Sequence, residues 1–254
     1  MEFFDTHCHL LMPKLIDHLP AVFDSCREEK ITALVNMALG PEPDQLLEAL
    51  SLTAQGINIR TVAGIHPHNA KDESRDFYDL LKEKRHSLSM IGEIGLDYHY
   101  NFTDPPTQRR VFANQLDLAA ELGLPVVLHV REAHEECLAI LGEHPGMEGS
   151  IVHCYTGDEH LARRYLDLGF YISFSGIVTF PGAHEIHAAA RIVPQDRILA
   201  ETDAPYLAPI PFRGKVCEPW HVKHTVQRIA TLQGISLEKA AEITFRNATR
   251  AFRM

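Results

Sequence analysis

The fold is decided by residues 125–175, which read PVVLHVREAHEECLAILGEHPGMEGSIVHCYTGDEHLARRYLDLGFYISFS. Three short apolar runs, at 125–130, 150–153 and 170–175, are separated by longer stretches whose apolar residues recur at helical spacing. Short apolar runs that alternate with amphipathic helices are typical of βα units in a parallel sheet. The segment therefore predicts strand, helix, strand, helix and strand in succession.

The same alternation extends to both ends of the chain. It predicts eight strands, at 3–6, 32–37, 58–64, 89–93, 125–130, 150–153, 170–175 and 197–202. Helices are predicted at 13–29, 41–55, 73–86, 105–122, 132–142, 157–168, 182–192, 219–233 and 236–247. An open doubly wound sheet shares this alternation, but eight strands in 254 residues favour a closed (β/α)8 TIM barrel. We expect an α/β protein in which residues 1–254 form a single domain.

Composition narrows the class of protein. No run of about 18 apolar residues is present, and the first residues, MEFFDTHCHL, do not resemble a signal peptide, so we expect a cytoplasmic protein that does not bind membranes. The five cysteines are scattered without a CxxC pair, which favours free thiols. The net charge of −10 disfavours tight binding along a nucleic-acid duplex. The sixteen histidines make metal binding a hypothesis, because imidazole is the commonest metal ligand.

Polar residues follow the apolar runs at the ends where a barrel enzyme builds its active site. These segments are Asp5-Thr6-His7-Cys8-His9, Gly64-Ile65-His66-Pro67-His68, Gly92-Glu93-Ile94-Gly95-Leu96-Asp97, Leu128-His129-Val130-Arg131, Val152-His153-Cys154-Tyr155 and Glu201-Thr202-Asp203-Ala204-Pro205. His7 and His9 are two apart on a strand and project to the same face, while Cys8 faces the other way and is expected to be a packed thiol, as is Cys154.

Four histidines and two carboxylates are predicted to meet at the barrel mouth, and this set is costly to bury without a cation. They are His7, His9, Glu93, His129, His153 and Asp203. These are more ligands than one ion that keeps a position open for water requires, so we expect two divalent ions, zinc, magnesium or manganese. A bridging carboxylate is the simplest way to hold such a pair.

These motifs, together with Pro211-Phe212-Arg213-Gly214-Lys215, resemble the TatD-type metal-dependent deoxyribonucleases, a branch of the amidohydrolase-like barrel hydrolases, over almost the whole chain. The resemblance implies that His7, His9 and Asp203 hold one ion, that His129 and His153 hold the other, and that Glu93 bridges them. It also implies that Asp203 accepts the proton of the attacking water, so Glu93 and Asp203 are the predicted catalytic residues.

The resemblance further implies that His66 and His68 lie near the substrate phosphate. Arg213 and Lys215 follow the last strand, where a guanidinium fork can clasp a phosphate. Glu201 and Asp5 are expected to support the ligands, Asp5 through a ring N–H of a metal-binding histidine. In one departure, Cys217 stands in the loop after Lys215, where the family often has asparagine before Glu-Pro.

The leading functional hypothesis is a phosphodiesterase acting on DNA, resembling a 3'-5' exonuclease, with a single strand or a strand end as its substrate. The DNA part rests on the resemblance, since a metal-activated water attacks phosphoryl and acyl centres alike. The alternative is an acyl-bond hydrolase for a lactone, an amide or a D-aminoacyl-tRNA ester. A non-catalytic metal-binding scaffold is a third hypothesis, and a monomer is expected in each case.

Overall fold

The structure is a computed structural model that describes residues 1–100 and 102–254. Its strands form one parallel sheet in which each strand pairs with the next along the chain. They are β1 (Phe3–Cys8), β2 (Ile31–Gly40), β3 (Asn58–Ile65), β4 (Met90–Asp97), β5 (Val126–Arg131), β6 (Ile151–Val152), β7 (Tyr171–Phe174) and β8 (Ile198–Ala200). The predicted (β/α)8 barrel is confirmed.

Helices connect the strands and surround the sheet. They are α1 (Pro13–Ile16), α2 (Leu19–Glu28), α3 (Pro43–Ser51), α4 (Arg75–Glu83), α5 (Pro105–Leu122), α6 (His134–Glu143), α7 (Glu159–Asp167), α8 (His184–Ile192), α9 (Val222–Gln233) and α10 (Leu237–Ala251). The single helix predicted over 13–29 is wrong. It divides into two at 17–18, because Pro20 has no N–H for an interior helical bond and belongs in a first turn. None of the helices in the described ranges is long and apolar enough to cross a membrane.

Every strand contributes to the apolar cluster that fills the barrel. Its members are Phe4, Ala33, Val35, Met37, Val62, Met90, Val127, Ile151, Tyr171 and Leu199. The segment at the end of α10 joins this cluster, and the rings of Phe4 and Phe252 lie 5.9 Å apart. Phe252 therefore covers the amino-terminal end of the barrel, and the carboxyl ends of the strands are left to form the mouth.

The first and last strands meet through the residues that follow them. The His9 amide donates to the Ala204 carbonyl at 2.7 Å, and the Asp203 amide donates to the His7 carbonyl at 2.9 Å. Buried Asp5 accepts from the Thr202 amide at 2.8 Å and the Thr202 hydroxyl at 2.6 Å. The expectation that Asp5 supports a ring N–H is wrong, because its carboxylate binds this backbone junction instead. An open doubly wound sheet is excluded.

Replacing Asp5 by alanine is expected to destabilise the barrel by about 3 kcal/mol, because the Thr202 amide and hydroxyl would remain buried without their acceptor. The control is Asp5→Asn, which keeps an acceptor for the Thr202 amide and should cost about 1 kcal/mol. Urea unfolding in the presence of a chelator measures both effects without a contribution from metal binding. An Asp5→Ala midpoint equal to that of the wild type would contradict the closing role of Asp5.

Candidate metal centre

The ends of β1 and β8 bring three of the predicted ligands together. The Nε2 atoms of His7 and His9 lie 3.3 Å apart, and both imidazoles are buried. The Asp203 Oδ1 atom lies 3.1 Å from the His9 Nε2 atom and 3.7 Å from that of His7. The three atoms lie within 3.7 Å of one another, which is close enough for them to share one ion.

Glu93 on β4 lies between this group and a second pair of histidines. Its Oε2 atom is 3.4 Å from the His7 Nε2 atom. Its Oε1 atom is 2.8 Å from the His129 Nδ1 atom and 2.6 Å from the His153 Nε2 atom. The two oxygens of one buried carboxylate thus face separate histidine pairs, as the predicted bridging role requires. All six predicted ligands are brought together.

His66 lies closer to this cluster than a residue that only contacts substrate needs to be. Its Nδ1 atom accepts from the His68 amide at 3.1 Å, and its Nε2 atom lies 3.6 Å from the Glu93 Oε1 atom. Ligand atoms of His66, Glu93 and His129 all lie within 4.8 Å of one another. His66 is therefore a seventh side chain that can reach a metal ion, in addition to its predicted place near the substrate.

The charges of the cluster fit a divalent cation. Burial alone would raise the pKa of Glu93, but the charge of His153 and the hydrogen bond with His129 hold that pKa well below its usual range. Burial lowers the pKa of His7 and of His66, which favours the neutral form of both imidazoles. Ionised carboxylates and neutral imidazoles are the forms that bind metal ions. Glu93 raises the pKa of His153 despite burial, which favours a protonated imidazole. A bound cation would replace that proton and supply the same positive charge.

A β-bulge explains why Glu93 points into the barrel. Gly92 pairs with Val127 and Ile94 pairs with Leu128, so Glu93 is an additional residue in β4. Regular alternation from inward-facing Met90 would turn Glu93 outward, and the bulge changes that direction. The close contact of β4 with β5 also requires a glycine, because a Cβ atom on Gly95 would lie 2.1 Å from the His129 carbonyl oxygen.

Two further carboxylates orient the histidines. Glu201 is buried, and its Oε1 atom lies 3.1 Å from the His153 Nδ1 atom and accepts from the Cys154 amide at 2.8 Å. This agrees with the supporting role expected of Glu201. Asp97, to which the sequence analysis assigned no role, lies 3.0 Å from the His129 Nε2 atom and 2.8 Å from the His68 Nε2 atom. The feature that could have identified Asp97 from the sequence is its position as the polar residue that ends β4.

The remaining predicted residues lie outside the cluster. The Cys8 sulfur contacts the Val35 carbonyl at 3.3 Å, on the other side of β1 from His7 and His9, as expected. Arg213 is exposed, and its guanidinium lies 4.5 Å from the centroid of the Phe180 ring. Within the described parts of the chain, neither Arg213 nor Lys215 forms an ion pair or hydrogen bond with the six predicted ligands. Their substrate roles stay predictions.

Exposed aromatic rings border the mouth on two sides. The stacked rings of Tyr100 and Phe102 have centroids 5.4 Å apart, and the side chains are 42% and 57% exposed. Phe102 also packs against His68, with centroids 4.8 Å apart. Tyr206, which is 44% exposed, packs against His9 at 6.1 Å. Flat apolar surfaces of this kind suit a ligand with planar groups.

Known proteins resemble this chain over its full length. The family model described as TatD related DNase matches residues 4–253. The Bacillus subtilis protein named uncharacterized metal-dependent hydrolase YabD is 38% identical, over 99% of this chain and 99% of its own. The 3'-5' ssDNA/RNA exonuclease TatD of Erwinia tasmaniensis is 35% identical, over 99% of this chain and 100% of its own.

A solved structure has the same fold. YJJV, a TatD homologue from Escherichia coli, superposes with a TM-score of 0.91 at 24% identity, over 99% of this chain and 98% of its own. The class of enzyme is identified by the family model and the full-length relatives. The cluster of histidines and carboxylates, which is suited to metal binding, agrees with it. The chain belongs to the TatD-related family of metal-dependent hydrolases.

Proposed function

We propose that the protein hydrolyses phosphodiester bonds of single-stranded DNA from an end, in the manner of a 3'-5' exonuclease, with two divalent ions. The observation that carries the proposal is Glu93, whose two oxygens face separate histidine pairs beneath an aromatic rim. A full-length relative named as a 3'-5' ssDNA/RNA exonuclease supports it. The net charge of −10 favours a short strand that enters the mouth over a duplex lying across the surface.

The six ligands would hold two ions, which act as Lewis acids that neutralise the phosphate and make water a better nucleophile. Asp203 faces the mouth, and hydrogen bonding and charge from His9 keep its pKa below the usual range despite burial. Its carboxylate can therefore accept a proton from the attacking water. The water oxygen would form a new bond to phosphorus as the P–O bond to the leaving sugar oxygen breaks, and the proton taken up by Asp203 would neutralise that oxygen.

End-labelled oligonucleotides provide the direct test. Single-stranded DNA and a duplex of the same sequence would be incubated with magnesium, manganese or zinc, and the products separated by length. We expect stepwise shortening of the single strand from its 3' end. Preferential cleavage within the long duplex would contradict the proposal.

Substitution of Phe102 by alanine is expected to raise the KM for a single-stranded oligonucleotide about tenfold, because one stacked base is worth roughly 1–3 kcal/mol. The kcat should change little, since Phe102 contacts His68 and lies outside the ligand cluster. Phe102→Trp is the matched control and should restore the KM. A lowered kcat with an unchanged KM would show that the ring positions His68 instead of binding the strand.

Substitution of Arg213 distinguishes the nuclease hypothesis from the alternative of an acyl-bond hydrolase. Arg213→Ala is expected to lower kcat/KM for DNA about 10- to 100-fold, because a charged hydrogen bond to phosphate contributes roughly 1.5–3 kcal/mol. Hydrolysis of an uncharged lactone or amide should be unaffected. Arg163→Ala, at an exposed position on α7, serves as the control. Faster turnover of a panel of acyl substrates than of DNA would favour the alternative.

A further inference from the structure

A polar cavity lies at the opposite end of the barrel from the metal centre. It has a volume of about 200 Å³ and is lined by Arg60, Arg85, His86, Leu88, Ser89, Leu124, Phe252 and Arg253. Arg60 is near the start of β3, residues 85–89 lead into β4, and Phe252 and Arg253 follow α10. The cavity is therefore formed where strands begin, beside the ring of Phe252 that covers this end.

The charge of this cavity is unusual for an acidic chain. Three arginines and one histidine are among its lining residues, and no aspartate or glutamate is. Six other arginines each pair with a carboxylate, namely Arg27, Arg109, Arg110, Arg164, Arg197 and Arg246. Across residues 1–100 and 102–254, no carboxylate lies within ion-pair distance of Arg60, Arg85 or Arg253. Positive charge is thus concentrated here without an acidic partner among the described residues.

Arg60 supplies an independent indication of a ligand. Its Nε atom is buried and has no hydrogen-bond partner among the described residues. Because Arg60 is two residues before Val62, it projects from β3 to the same inward face as that core residue. The neighbouring walls are apolar, from Leu88, Leu124 and Phe252. The buried Nε–H donor of Arg60 needs an acceptor, and a bound anion would provide one.

We propose that this cavity binds a phosphate group, carried by inorganic phosphate or by a small phosphomonoester such as a nucleoside monophosphate. Guanidinium groups match the oxygens of phosphate with forked hydrogen bonds, and three arginines line this cavity. A bound phosphate would link the start of β3, the segment before β4 and the end of α10. The site is independent of the reaction at the other end of the barrel, and its occupancy stabilises the folded protein.

Thermal unfolding of the metal-loaded protein tests the site. Inorganic phosphate and adenosine monophosphate would be titrated separately, against sodium chloride at equal ionic strength. At about a hundredfold excess over the dissociation constant, we expect Tm to rise by about 5 °C or more with at least one of them. The anion that acts at the lower concentration identifies the source of the phosphate. No rise with either anion beyond that with chloride would overturn the proposal.

Variants separate this site from phosphate binding at the metal centre. Arg60→Met keeps most of the side-chain volume, and Arg253→Gln changes an exposed residue, so one remains informative if the other folds poorly. Both should lose most of the rise in Tm and one equivalent of bound phosphate in equilibrium dialysis. The control Arg163→Gln should retain both. Equal shifts and equal stoichiometry in all four proteins would place the phosphate elsewhere and overturn the proposal.

Discussion

Substitution of Glu93 by glutamine is expected to lower metal affinity by more than about 100-fold and to abolish hydrolysis at ordinary metal concentrations. Among the described residues, Glu93 is the one carboxylate in contact with both histidine pairs, so its amide analogue would leave His7, His129 and His153 facing a neutral group. A neutral amide also fails to offset the charge of bound cations. The measurements are metal content after dialysis and the initial rate of cleavage of single-stranded DNA.

Glu201→Gln is the matched control for that substitution. Glu201 is equally buried but contacts only His153 among the predicted ligands. Its replacement should cost about 10- to 100-fold in metal affinity, the range for groups that orient a metal ligand. If the Glu93 variant retained two ions per chain and most of its rate, the bridging arrangement would be wrong.

Asp203→Asn is expected to reduce kcat by about 10²- to 10⁴-fold while KM changes little. Asparagine keeps an oxygen near His9 but cannot accept a proton from water at neutral pH. The rate should stay low when the metal concentration is raised, which distinguishes a lost base from a lost ligand. Single-turnover cleavage at saturating manganese makes this measurement.

His68→Gln is a suitable comparison for Asp203→Asn. His68 contacts Asp97 and Phe102, and its ring lies farther from that of His129 than the ring of His66 does. Its loss should affect KM more than kcat. An Asp203→Asn enzyme that regained wild-type kcat at high metal concentration would show that Asp203 acts only as a ligand.

The predictable part of this structure follows from local patterns. Eight apolar runs predicted eight strands, and polar residues after those runs predicted the mouth, because side chains at the ends of parallel strands converge whatever the details of the loops. All eight strands differ from their predicted bounds at one end or both, and β4 and β6 are examples. β4 continues to Asp97 because Ile94 and Leu96 pack against the helices, and β6 has only Ile151–Val152, so His153 follows its strand.

Other features depend on distant contacts and leave no local pattern. The position of Asp5 in the sequence predicted that it supports a neighbouring histidine. Its partner is instead Thr202, which is distant in the sequence. The inward direction of Glu93 depends on how β4 pairs with β5, which strand periodicity does not contain. The basic cavity combines Arg60 with Arg253, and only the fold of the last helix places them together.

The bulge in β4 has a consequence for protein design. Copying only the six ligand side chains onto an idealised barrel with unbroken strand pairing would turn the central carboxylate toward the surrounding helices. The irregular pairing must be transplanted along with the chemistry, and Gly95 with it, because a Cβ atom there would collide with β5. Conversely, a deletion of one residue that made this strand regular would yield a well-formed barrel unable to assemble its metal site.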